Sequence, residues 1–351
     1  LSYALIAINI FKYIILGNYV IDKKILSNDL LEAPNAIGED LDQYWEQDNQ
    51  AWWDWYVTLA DNEDKDDVAN FVDVEPIKHF DTLSDSELED ELSTPYNLTE
   101  AHHIAFRRDG FIRLRNVLSP AAVVRLRKEL IRLLIKAFPE NNRANRFLSL
   151  EMMWLESRII RLYVLSPRIA KISADLLSIK SVRLYHDNAL SKEPGCGRTP
   201  WHYDEHHFPL ETNNIVTAWI PAQPVPAAMG PLSFAKPLSV FNLVKNISFN
   251  KNDTSYDKKV TEAFKANHVA IDSEPFEMGE VSFHHNLSFH TAGDNKTSQS
   301  RIVLANTYFA DGARVVKEPT MVSGDWQKFI PGVNPGEIAA SELNPVCWPV
   351  M

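Results

Sequence analysis

The stretch Thr199-Pro200-Trp201-His202-Tyr203-Asp204 sets an imidazole and a carboxylate two residues apart. In an extended chain, residues i and i+2 project to the same face. His202 and Asp204 can therefore grip one metal ion while Tyr203 points the other way. A third ligand has to come from a distant stretch, and the best candidate is His290, followed eleven residues later by Arg301. Two histidines and one carboxylate on one face of an octahedral ion make the facial triad of non-haem Fe(II) oxygenases, with positions left open for cosubstrate and dioxygen. Arginine suits what remains, because its planar fork gives a carboxylate two parallel charge-assisted hydrogen bonds. A ligand His and an Arg on neighbouring strands would hold a dicarboxylate by both ends, as 2-oxoglutarate requires.

An HxD pair alone is a weak signal, so its surroundings matter. The pair follows a turn at Lys192-Glu193-Pro194-Gly195 and precedes a strand-like run at 214–220. Further on, Gly279 opens a strand, a turn at Asn286 returns the chain, His290 ends the return and Arg301 starts the next strand. The elements that must position these residues are β in character. Short runs at 182–190, 214–220, 268–271, 280–283 and 302–309 are separated by Gly, Pro and Asn/Asp turns.

The preceding part reads as helical. Thr99 can cap a helix through AHHIAFRRDG that Gly110 ends, and Phe111, Ile112, Arg113 and Leu114 alternate as a strand. Ser119-Pro120 opens a second helix, whose buried face carries Val123, Leu126, Leu130, Leu133, Leu134 and Phe138. Further helices are expected at 148–159 and 167–179. Helices first and short strands second imply an α+β fold, with the strands forming a barrel or double-sheet jelly roll.

The 351 residues accommodate one catalytic domain with an N-terminal extension. A net charge of −12 argues against sequence-independent attraction to nucleic acid or an anionic membrane. Cys196 and Cys347 give neither a metal spacing nor a disulfide framework, which fits a reducing, cytoplasmic setting. Residues 1–40 form an apolar leader, interrupted by Asn9, Lys12 and Asn18 before a transmembrane length is reached. The chain begins at Leu1, so a preceding segment is expected. Residues 41–96 are a tryptophan-rich and acidic extension. Trp45, Trp52 and Tyr56 suggest a docking face, and the stretch from Asp61 to Thr94 reads as a solvated acidic linker with one short helix. The catalytic domain is then 97–320, and 321–351 is a tail packed on it.

With these residues in view, the chain resembles the phytanoyl-CoA dioxygenase family of Fe(II)/2-oxoglutarate-dependent oxygenases. The likeness runs from about Leu98 to Phe309 and opens with LTEAHHIAFRRDGFIRLRNVLSPAAVVRLRKEL. It implies a double-stranded β-helix of cupin-like type flanked by N-terminal helices. It implies Fe(II) held by His202, Asp204 and His290, with 2-oxoglutarate and dioxygen as cosubstrates. Arg301 matches the cosubstrate arginine, Trp219 falls where the family often has a tryptophan beside 2-oxoglutarate, and Asn188 lies near another cosubstrate contact. The implied reaction releases succinate and carbon dioxide and hydroxylates an unactivated C–H bond of a small organic substrate, such as an acyl-CoA, a lipid or a natural product.

Three departures from the family pattern stand out. Tyr203 replaces the common Gln between the first two ligands, so its contact with the cosubstrate is expected to differ. Ala292 replaces a common Ser two residues after the second His. Asp204 is retained where related halogenases have Ala, which favours hydroxylation. His284 and His285 are read as supporting residues, His206 as a strand neighbour whose continuation Pro209 makes doubtful, and His186 and Asp187 as lining a pocket mouth or satisfying a strand edge. Lys192 and Trp201 suit packing as well as substrate contact. The alternatives are a non-catalytic metal-binding jelly roll, a zinc hydrolase built on HYDEHH, and a scaffold acting through the tryptophan segment. The first two leave Arg301 without a purpose.

Overall fold

Alternation with period two becomes, in three dimensions, two antiparallel sheets with helices against their outer faces. The computed structural model describes residues 71–349 apart from 78–79, 82, 140–142, 249–253 and 320–325. These fall within the unit Trp45–Met351. The apolar leader and the tryptophan stripe lie outside the described residues.

Helix α1 (Asp85–Ser93) is followed by α2 (Glu100–Asp109), β1 (Phe111–Leu114), α3 (Pro120–Ala137), β2 (Phe147–Glu151), α4 (Arg158–Val164) and α5 (Pro167–Leu177). Next come β3 (Val182–Lys192), β4 (Thr199–His202), β5 (Ile215–Pro221) and β6 (Leu232–Lys236). A short helix α6 (Phe241–Val244) and α7 (Ser255–Ala266) lead to β7 (Ala270–Asp272), β8 (Val281–His285), β9 (His290–Ala292), β10 (Arg301–Ala310) and β11 (Val346–Trp348). The larger sheet has the order β1-β8-β5-β10-β3-β11, with β2 also on β3, and the smaller has β4-β9-β6-β7.

Burial explains the layers. On β5 and β10, Val216, Ala218, Ile220, Ile302, Leu304 and Tyr308 join the core formed with α1 to α5. The alternate residues Trp219, Val303 and Ala305 instead meet Leu232, Phe234 and Ala292 of the smaller sheet. Phe111 on β1 stacks on Phe234 on β6 with ring centroids 4.1 Å apart, so the two sheets share one apolar interior. A separate cluster containing Trp201, Tyr203, Val240, Val260, Phe264 and Phe289 packs α6 and α7 against the smaller sheet.

Several ends are capped as their sequences dictate. The Thr99 hydroxyl accepts from His102 N–H, while Gly110 ends α2 in the left-handed region at φ 79°. Ser119 accepts from Ala122 N–H at the start of α3, and its own hydroxyl donates to Glu91 Oε2 at 2.6 Å.

Two expectations change here. Residues 148–159 are not one helix: Phe147–Glu151 is a strand along the β3 edge, and the following chain turns through Met153–Leu155 into α4. The pairing with β3 overrides a pattern compatible with either form. The acidic stretch also contains more than a solvated helix, because Leu88 and Leu92 of α1 are 0% and 2% exposed within the main core. After residue 325, Trp326, Phe329, Ile330 and Ala339 pack with Tyr185 and Phe309. No described helix is long and apolar enough to cross a membrane.

Candidate metal and cosubstrate site

His202 is the last residue of β4, and Tyr203 continues the extended backbone at φ −136°, ψ 152° before a single turn of 3-10 helix begins at Asp204. The i, i+2 arrangement therefore survives although the strand itself ends. Two anchors hold this stretch. The Trp201 N–H donates to Asp257 Oδ1 of α7 at 2.7 Å, and the N–H groups of Asp204 and Glu205 both donate to the carbonyl of Asn286, at 2.9 and 3.1 Å. His290 begins β9 and lies opposite His202 in register, which brings their ring centroids to 4.0 Å. One ligand atom each from His202, Asp204 and His290 lie within 4.8 Å of one another.

The tautomers follow from the backbone. His202 Nδ1 is 2.8 Å from the Pro200 carbonyl, and His290 Nδ1 is 3.0 Å from that of Ser288. A carbonyl only accepts, so both Nδ1 atoms donate, and each neutral ring presents an unprotonated Nε2. Burial lowers the pKa of both histidines, which favours this neutral form. Burial alone would raise the Asp204 carboxyl, but the charge of the His290 imidazole whenever it is protonated, and the hydrogen bond from His284, outweigh it and hold the group below the ordinary carboxylate range. Two neutral imidazoles and a carboxylate are the donor set that a divalent ion of intermediate softness takes.

Arg301 opens β10 on the opposite sheet. The expected neighbouring strands are thus consecutive in sequence but lie in different sheets, because residues 293–300 cross between them. Arg301 is 2% exposed. Its Nη1 donates to the Gly230 carbonyl at 2.8 Å, and its guanidinium carbon lies 5.4 Å from the Trp219 ring centre. Its Nε has no hydrogen-bond partner, and among the described residues no carboxylate forms an ion pair with it. Burial pulls its pKa down to about 10, so it remains cationic at neutral pH. A buried cation without a counter-ion is costly.

Register places the other residues. Asn188 and Trp219 lie on either side of Ala305, one row along the inner face of the larger sheet. Lys192 lies opposite Arg301 and donates to the carbonyls of Gly197 and Gly293 at 2.6 and 2.7 Å, so it fastens the loop after His290. Tyr203 is not brought to the site: its ring packs on His206, Phe289 and Phe241, in the apolar cluster under α7. The alternation that aims its neighbours inward turns it outward. His206 lies in the turn after Asp204 and packs against Tyr203 with the two rings tilted, centroids 4.2 Å apart.

Sequence reasoning missed Gly230. Its φ is +71°, and a Cβ there would stand 2.1 Å from the Gly293 carbonyl oxygen. Only glycine lets this turn carry the carbonyl that Arg301 uses while touching the loop after His290. Thr217 and Thr307 were also missed; they lie opposite each other on the inner face of the larger sheet, with hydroxyls 3.1 Å apart.

The phytanoyl-CoA dioxygenase family model matches residues 106–303, which include every residue of the triad and Arg301. The chain belongs to the phytanoyl-CoA dioxygenase family. Solved structures of similar fold include the non-haem α-ketoglutarate-dependent carbocyclase SnoK from nogalamycin biosynthesis, with a TM-score of 0.59 and 22% identity over 72% of this chain and 99% of that one. The epimerase SnoN in complex with Fe3+, α-ketoglutarate and nogalamycin RO gives 0.58 and 22%, covering 71% and 98%. EctD from S. alaskensis with 2-oxoglutarate and 5-hydroxyectoine gives 0.54 and 16%, covering 80% and 96%. No curated protein matches the sequence.

Proposed function

We propose that this protein is an Fe(II)- and 2-oxoglutarate-dependent dioxygenase that hydroxylates an unactivated C–H bond of a small organic substrate. His202, Asp204 and His290 would hold the metal, and Arg301 would bind the far carboxylate of 2-oxoglutarate beside Trp219 and Asn188. The observation that carries the reading is Arg301: a buried guanidinium with an unpartnered Nε and no acidic partner among the described residues. A purely structural metal module has no use for such a group. We further read the two sheets as the walls of a double-stranded β-helix of cupin-like type. In support, the chain alternates between them, with β3, β5, β8 and β10 in one and β4, β6, β7 and β9 in the other.

In this reading the bound metal and cosubstrate supply the oxidative decarboxylation that yields succinate, carbon dioxide and an oxidant able to attack a C–H bond. The protein's residues bind, orient and exclude water. Pro200 and Ser288 fix the imidazoles, Arg301 would fix the orientation of the dicarboxylate, and Val303 and Ala305 belong to the buried apolar cluster on the same face of the larger sheet. No side chain needs to act as a general base. Asp204 fills the position that halogenases leave to halide, which favours hydroxylation. SnoK is an α-ketoglutarate-dependent carbocyclase and SnoN an α-ketoglutarate-dependent epimerase, so the change made to the substrate is what an assay must determine.

Purified protein supplied with Fe(II), 2-oxoglutarate and a pool of acyl-CoA, lipid and natural-product candidates is expected to release succinate. His202→Ala should abolish this release, and succinate formation at the wild-type rate in that variant would overturn the assignment. Mass spectrometry of the consumed substrate distinguishes a gain of one oxygen from ring closure or inversion without mass gain.

A further inference from the structure

The carboxylate of Asp204 has two oxygens in different surroundings. Oδ1 lies 3.6 Å from His290 Nε2. Oδ2 turns toward the larger sheet, where the Thr217 hydroxyl donates to it at 3.3 Å and His284 Nε2 lies 3.3 Å away. Thr217 and His284 are directly opposed in the β5–β8 register, and Thr307 opposes Thr217 from the other side. The three form one cross-strand row beneath the carboxylate. Because the Thr307 and Thr217 hydroxyls are 3.1 Å apart, Thr307 can donate to Thr217 while Thr217 donates to Asp204.

His284 has little else to do. It is 2% exposed, its Nδ1 has no hydrogen-bond partner, and its ring otherwise faces Phe234 and His290 at centroid distances of 5.5 and 4.7 Å. A histidine serving only as core filler would leave both ring nitrogens dry, a cost that Leu or Phe would avoid. Its one polar engagement is with the oxygen that faces away from His290.

We propose that His284 is a positioning residue for the metal: with Thr217 it occupies Oδ2 of Asp204, so that the carboxylate offers a divalent cation Oδ1 alone. This rests on the metal-site reading above. The consequence is one of coordination number. Two histidines and a one-oxygen carboxylate leave half of an octahedron free, enough for a chelating 2-oxo acid and one further molecule. A carboxylate free to swing and bind through both oxygens would take one of those positions. Partners that orient a ligand in this way are typically worth about ten- to a hundredfold in metal affinity.

The test uses Co(II) as a spectroscopic probe, added anaerobically to the full-length metal-free protein, with affinity read from its visible absorption. His284→Leu is expected to weaken Co(II) binding about ten- to a hundredfold. His284→Gln, whose side-chain amide nitrogen can stand near the original Nε2, is expected to restore it to within about threefold. Thr217→Val, which keeps the shape and removes the hydroxyl, should weaken binding in the same direction. Unchanged affinity in His284→Leu, or equal losses in Leu and Gln, would overturn the proposal. If His284→Leu does not fold, as judged by melting of the metal-free protein, His284→Asn replaces it with the same two outcomes, because its shorter arm withdraws the amide from Asp204. His202→Ala separates the two readings. If the wild-type protein binds Co(II) no better than His202→Ala, the metal site itself fails. If it does, and His284→Leu matches wild type, only the role of His284 fails.

Discussion

Replacing Arg301 with Met should make the protein more stable and less able to bind 2-oxoglutarate. Burial brings the pKa of Arg301 from 12.5 to about 10, which corresponds to about 3 kcal/mol of penalty carried by the cation at neutral pH. Against this stand one hydrogen bond to Gly230 and the stacking on Trp219, each worth about 1 kcal/mol. The difference favours Met by about 1 kcal/mol, or about 2–4 °C in Tm for a domain of this size. The cosubstrate gives the opposite sign. Losing one partner of a buried charge pair costs at least about 2 kcal/mol of binding, about thirtyfold in Kd. Suppose melting is followed with saturating Mn(II) and 2-oxoglutarate at about a hundred times the wild-type Kd. The wild-type protein then gains about 2.7 kcal/mol from the ligand, or about 5–10 °C. Arg301→Met should gain only about 1 kcal/mol, or about 2–4 °C. Differential scanning fluorimetry of four samples suffices. A full ligand-induced shift in the variant would refute the cosubstrate role of Arg301.

The remaining predictions concern stability. His206 and His285 are both held at about 4 by burial. Between pH 4 and 6.5 the unfolded chain therefore binds more protons at these positions than the native one. The contribution of these two histidines to the stability of the metal-free protein should rise with pH through that window and level off above it, with a loss on the order of 1 kcal/mol per histidine on going from pH 7.5 to 5.5. Urea titrations of wild type against His206→Phe and His285→Phe at the two pH values isolate it from Asp187, which burial raises to about 7 and whose effect has the opposite sign. Gly230→Ala forces a Cβ into the Gly293 carbonyl at a left-handed position and should cost about 3 kcal/mol or more, lowering Tm and 2-oxoglutarate affinity together. Leu88→Ala should cost about 2–5 kcal/mol because the side chain is fully buried. Its exposed neighbour Glu89→Ala should stay within about 0.5 kcal/mol, and equal effects would show that α1 does not belong to the core.

Chemistry was more legible in this sequence than architecture. His202, Asp204, His290 and Arg301 can be read because residue type and spacing carry ligand chemistry directly, and the same spacing pointed Tyr203 away from the metal. The role suggested for Tyr203 came from family likeness, and strand alternation overrode it. The caps at Thr99, Ser119 and Gly110 are local and came out as written. Phe147–Glu151 did not, because its strand form depends on an edge of β3 that lies tens of residues away. Leu88 and Leu92 were hidden among acidic residues, whose number suggested solvation although two leucines four apart were enough to dock the helix. Thr217 is unremarkable in one dimension, and His284, read as a supporting residue, finds it as a neighbour only through the β5–β8 register.

The chain order of His202, Asp204, His290 and Arg301 also sets an order of events during synthesis. His202 and Asp204 leave the ribosome 86 or more residues before His290, and Arg301, the proposed anchor of the dicarboxylate, follows on the opposite sheet. A nascent chain cannot surround an ion with all three side chains until β9 has emerged, nor hold a cosubstrate until β10 has inserted between β5 and β3. On the proposed reading, the complete three-residue ligand set therefore exists only once β9 has been made, and the cosubstrate pocket only once β10 has been added.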